Sequence, residues 1–142
     1  MACFSRIPVV PHEEPTWRPL SDVAMLTEIA RQGVEHARDA HELLADAGPY
    51  RLDDATVARM LRVWTETLEW SGVYAEQGLR WHLQATDPID AVAVAEYSAL
   101  VEQERLLAVE ILDIARKLES VTIEKLMEKS DLEIGLEALA EP

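Results

Sequence analysis

The sequence predicts an all-α fold: an elongated antiparallel bundle of three long helices, followed by one or two short C-terminal helices. Three observations carry that prediction. Apolar residues make up 49% of the 142 positions, and there are only 5 glycines. Apolar residues recur at helical spacing through three stretches far longer than a strand. Proline and glycine punctuate the chain where those stretches meet.

The opening segment, residues 1–20, reads as an extended arm. It holds Pro8, Pro11, Pro15 and Pro19, and each proline blocks helix and biases its predecessor toward extended geometry. Phe4, Ile7, Val9, Val10 and Trp17 are apolar enough to dock along a bundle. The prolines interrupt the apolar patch, so no secretory signal is expected. Cys3 is the only cysteine, so no internal disulfide can form, and a reducing cytoplasm is the simplest expectation.

Residues 21–121 form the three-helix bundle. Ser21 is placed to cap the first helix, which runs to about Ala47 before Gly48-Pro49 stops it. Its inner side reads Val23, Leu26, Ile29, Ala30, Gly33, Ala37, Ala40 and Leu44. Those small residues predict close packing. Arg31 with Glu35, and Arg38 with Glu42, are spaced for ion pairs on the wet side.

The central helix spans Asp53 to Ala85, capped by Asp53 or Asp54. Val57, Met60, Leu61, Trp64, Leu68, Ala75 and Leu79 share one side. Val63, Trp70, Tyr74 and Trp81 form an adjacent stripe, and charged residues such as Arg59, Glu66 and Glu76 lie opposite. The apolar arc covers roughly half the circumference, wider than the stripe of about 100° that one packing partner needs. Thr67, Ser71 and Gly78 lie between the two stripes and are small enough to admit a neighbouring backbone.

Asp87 and Pro88 restart the chain as cap and first helical residue. The third helix runs to about Leu118, with Ile89, Ala93, Tyr97, Leu100, Leu107, Ala108, Ile111 and Ala115 inward. Residues 122–142 carry two short helices, Ile123 to about Lys129 and roughly Asp131 to Ala140. Ser120-Val121-Thr122 reads as the cap of the first, and Ser130 with Glu133 forms a capping box for the second. These pieces are expected to supply the fourth side of the bundle, or to dock a partner.

Net charge is −14, with 27 acidic residues against 13 basic. No Lys/Arg cluster of the kind that grips a phosphate backbone or an anionic membrane appears. No apolar run reaches the roughly 18 residues of a membrane span. The glycine-rich phosphate loops, GxSxG, HExxH and paired CxxC motifs are absent from the sequence, so no catalytic residue and no cofactor is assigned.

Glu104 falls on the apolar side of the third helix and His82 on the core-leaning side of the central one. Together they are the candidate ligands for a carboxylate–histidine metal site in a bundle core. The ferritin-like di-iron family, the precedent for such a site, uses Glu-x-x-His on two helices. Here Leu79, Gly33 and Arg38 stand three residues before His82, His36 and His41. Glu110-Ile111-Leu112-Asp113 is similar to part of the acidic helix motif of all-α nucleotide pyrophosphohydrolases, without the Glu-Glu-x-x-Glu helix upstream.

The expected function is therefore a non-enzymatic interaction module: an adaptor, inhibitor or regulator. Its expected partners are a second copy of itself and another protein, a basic one given the acidic excess. Val63, Trp70, Tyr74 and Trp81 are the expected homodimer interface, since tryptophan and tyrosine dominate interface hot spots. The alternatives are a ferritin-like or other metal-binding bundle, acting in redox chemistry or metal storage, and an acidic mimic of nucleic acid that occupies a basic groove.

Overall fold

The structure, a computed structural model, describes residues 14–129 and 131–140. It is all-α over that range, with three long helices and two short ones. A single 3-10 turn, Leu20–Asp22, leads into α1 (Val23–Asp46). Then follow α2 (Asp54–Gln84), α3 (Pro88–Leu118), α4 (Ile123–Glu128) and α5 (Asp131–Ala140). At 1.5 Å per residue the 31-residue α2 and α3 are each about 46 Å long.

Three helix starts follow the sequence logic. The Asp53 carboxylate accepts from Thr56 N–H at 2.8 Å, and Asp87 accepts from Asp90 N–H at 2.8 Å with Pro88 in the first turn. Thr122 accepts from Lys125 N–H to start α4. The fourth start differs. Ser21 does not cap α1; it lies within the 3-10 turn. The neighbouring Asp22 carboxylate is engaged by Arg18 at 2.9 Å instead.

The centre of the bundle is α3. Its backbone runs close beside both α1 and α2, whereas the backbones of α1 and α2 stay further apart. Side-chain size explains the asymmetry. Ala30, Gly33, Ala37 and Ala40 on α1, with Ala108 and Ala115 on α3, bring those two helices together. Gly78 does the same for α2 and α3, because a Cβ there would lie 2.7 Å from Ser98 Oγ. Trp64, Trp70, Tyr74 and Trp81 reach from α2 into the core, and the Trp64 ring stacks on His36 of α1 with centroids 5.4 Å apart.

Gly72 has open space around it and sits on the exposed side of α2. Gly72→Ala is expected to raise the unfolding free energy by about 1 kcal/mol through helix propensity alone. Gly78→Ala is expected to gain less, because Ser98 and Tyr97 must shift to admit the methyl group. Urea melts of the two variants check the difference.

Both ends of the bundle are tied. At one end Trp17 and Arg18 lie against α2. Trp81 Nε1 donates to the Arg18 carbonyl at 3.0 Å, Arg18 N–H donates to Gln77 at 2.7 Å, and Arg80 sits over the Trp17 ring at 4.1 Å. That part of the arm is docked. Cys3, Phe4, Ile7, Val9 and Val10 lie outside the described residues. At the other end Tyr50, with φ 64°, donates its N–H to Val121 O, and Ile123 N–H reaches Leu52 O. Lys129 and Tyr50 both bond Glu137 of α5. The two short helices thus join the α1–α2 loop at the bundle end and do not run along its side as a fourth wall. Leu136 and Leu139 remain exposed. The Ser130 half of the expected capping box lies outside the described residues.

Candidate functional site

The aromatic stripe assigned to an interface is core. Trp81 is 0% exposed, Tyr74 4% and Trp70 6%, all within one chain. They pack with Leu26 and Ala30 of α1 and with Val94, Tyr97 and Val101 of α3. Trp81 meets Tyr97 edge-on at 5.0 Å, and the Tyr97 hydroxyl donates to the Tyr74 carbonyl at 2.9 Å. Val63 is half-buried against the second cluster, around Trp64, Leu44, Ile111 and Leu112. The expectation of a dimer through Val63, Trp70, Tyr74 and Trp81 is corrected on that ground: rings already covered by their own chain leave no surface for a second one.

The apolar arc of α2 does exceed what its own chain covers. The surplus lies on the other stripe. Ala75 is exposed, Leu79 is 62% exposed and Leu83 is 84% exposed. Ile89, expected to be inward on α3, is 81% exposed, and Val92, Leu106 and Val109 also face solvent. Half of the large exposed apolar side chains thus lie on α2 and α3. Between those two helices runs a cleft of about 470 Å³, floored by Gly78, Val94 and Val101 and edged by Leu79, His82 and Arg105.

Glu104 and His82 are not brought together. His82 is exposed on the rim of the cleft, level with Val94. Glu104 is 2% exposed and ten residues further along α3, which is about 15 Å at 1.5 Å per residue. Among the described residues no group of three or more His, Cys, Asp or Glu could hold a metal ion. Glu104 and His82 are therefore too far apart to share one metal ion.

Glu104 nevertheless has an unusual setting. It follows Val101 of the first apolar cluster and precedes Ala108 of the second. Its Oε2 is buried without a hydrogen-bond partner among the described residues. Among the described residues no arginine reaches it: Arg31 bonds Glu28 and Glu96, and Arg105 bonds Glu102 at 2.6 and 2.8 Å. Arg31 also forgoes the expected pairing with Glu35. Burial pushes the Glu104 carboxyl up to about 8. Both Tyr74 and Tyr97 are held above the usual phenol value, mainly by burial and further by the Glu104 charge. The carboxyl is thus held neutral near pH 7, as an unpaired buried charge requires.

Among the described residues no helix is long and apolar enough to cross a membrane. Comparison with family models, curated proteins and solved structures found no match to this chain.

Proposed function

We propose that the chain is a non-enzymatic interaction module that works by protein–protein contact on the outer side of α2 and α3. The observation that carries this reading is the set of large aliphatic side chains left in water there, with Leu79 and Leu83 the foremost on α2. A contiguous exposed apolar surface on a small domain marks an interaction site more often than chance exposure does. The adjoining cleft has the form that receives an amphipathic helix. The partner is a basic one, given the net charge of −14 and the exposed Glu69 on α2.

The test is capture from the native host with the full chain and with Leu79→Glu/Leu83→Glu. The parent is expected to retain a basic protein that the variant releases. Retention that is equal in both, or that vanishes in moderate salt for both alike, would count against this face and favour diffuse charge attraction.

A further inference from the structure

We propose that the cleft between α2 and α3 has an occupant within the chain itself: the segment from Phe4 to Val10 seats in it. The inference deepens the reading of this face as an interaction site and rests on it for one consequence, that an outside partner must displace the segment to bind.

The end of the arm is already held on α2. Arg80 sits over the Trp17 ring at 4.1 Å. The Arg18 carbonyl accepts from Trp81 Nε1 at 3.0 Å and from Gln77 Nε2 at 3.3 Å. These contacts fall on the same turns of α2 that form the cleft through Gly78, Leu79 and His82. The surface between the two can be followed at about 100° per residue. Turning away from buried Trp81, Leu83 lies about 60° round from Arg80 and Leu79 about 100° round. The cleft residues Ala75 and His82 come at about 140–160°. In that direction Glu76 is met first, and Arg80 already pairs with it at 3.5 Å. The two exposed leucines thus stand between the seat of Trp17 and the cleft, and Leu79 is one wall of it.

The chain length fits that path. Going about 160° round a helix some 10–12 Å across is an arc of roughly 15 Å. About five extended residues cover it. Counted back from Trp17, the crossing ends near His12, so the next apolar side chains are those of Val10, Val9, Ile7 and Phe4. Extended, Phe4 to Val10 spans about 20 Å. The α3 side of the cleft, Val94 to Arg105, is about 16 Å long.

The chemistry fits as well. The segment carries four apolar side chains in seven residues, and the floor of the cleft is Gly78, Val94 and Val101. Pro8 favours extended backbone and has no N–H to leave unpaired against an apolar wall. Residues 1–12 include Arg6 and no acidic residue, in a chain of net charge −14. The segment is therefore apolar and basic, the same kind of ligand as the outside partner.

Disulfide trapping in the full chain tests the seat, because Cys3 is the only cysteine. Ala95→Cys places a thiol in the cleft lining. Glu35→Cys places one on the exposed side of α1, one turn beyond the Arg31 that pairs with Glu96. In a glutathione redox buffer, the Ala95→Cys protein is expected to close its internal disulfide about tenfold faster or more. Val9→Asp/Val10→Asp is expected to abolish that advantage, with the helical circular dichroism unchanged. Equal rates at the two positions, or an advantage that survives Val9→Asp/Val10→Asp, overturn the proposal. A dimer joined between Cys3 of one chain and the new thiol of another also overturns it, since a second copy would then supply the segment.

Binding of the dye anilinonaphthalene sulfonate reads the cleft without a cross-link. Val9→Asp/Val10→Asp is expected to bind severalfold more dye than the parent, and added Leu79→Glu to reverse the gain. Dye binding equal to the parent's counts against the proposal. Failure of the trap with Leu79/Leu83-dependent capture intact refutes the internal occupant and leaves the interaction module standing. A successful trap without that capture supports the occupant and removes the outside partner.

Discussion

Glu104→Gln is expected to stabilise the protein, and by more as the pH rises. The sign follows from linkage. In the unfolded chain the carboxyl ionises near 4.5, and in the folded chain only near 8. Between those values the folded state holds a proton that the unfolded state has released. Stability contributed by Glu104 is therefore greatest below about 4.5 and falls as pH rises toward 8. Glutamine keeps the shape of the neutral acid and does not titrate. Its advantage over the parent is expected to grow by about 3 kcal/mol between pH 5.5 and 8.5. In a domain of this size that is about 10 °C in the thermal midpoint. Thermal melts of both proteins across that range provide the check. A constant offset between them would mean that Glu104 is ionised in the folded state and has found a partner.

Trp81→Ala is expected to damage the fold rather than the assembly. The ring is wholly buried against Tyr97 and its N–H holds the Arg18 carbonyl. Removing a buried tryptophan costs about 3–5 kcal/mol. Losing the Nε1 bond, which leaves the Arg18 carbonyl only the longer one from Gln77 at 3.3 Å, adds about 1 kcal/mol more. Against a typical total of about 5–15 kcal/mol, the variant should be marginal at 25 °C. Urea unfolding followed by circular dichroism reads this directly. An interface residue would behave differently: the helical signal and the urea midpoint at low concentration would stay put, while the sedimenting mass fell.

The helices were legible because local chemistry sets them. Asp53, Asp87 and Thr122 each cap the helix they precede, and Pro88 opens α3. The excess apolar surface of α2 was legible too. Which stripe of it remains outside was not. A wheel gives angles about one axis, and both stripes of α2 have equal claim to the core on that basis. The decision belongs to α3, which approaches along Gly78 and leaves the space toward α1 to the large rings. Tryptophan fills that wider gap; leucine at 79 and 83 does not reach it. Two features of the sequence pointed that way: the small residues of α1, and the pairing of small with aromatic positions on α2.

Glu104 shows the same division. Its place on the apolar side could be read from periodicity, and its burial follows. Its lack of a partner could not be read, because it depends on where Arg31 and Arg105 turn. Each has an exposed glutamate within one turn of its own helix, and that local pair is met first. His82 was misplaced for a different reason. It sits in the last turn of α2 on the rim of the cleft, turned away from the side that Trp81 buries.

Tryptophan emission on dilution tests the central claim, that the aromatic stripe of α2 is closed within a single chain. In a Trp17→Phe protein the reporters are Trp64, Trp70 and Trp81. Their emission is expected to stay blue-shifted and shielded from iodide from high concentration down to the nanomolar range. A red shift and a gain in quenching on dilution, with the helical signal intact, would contradict it.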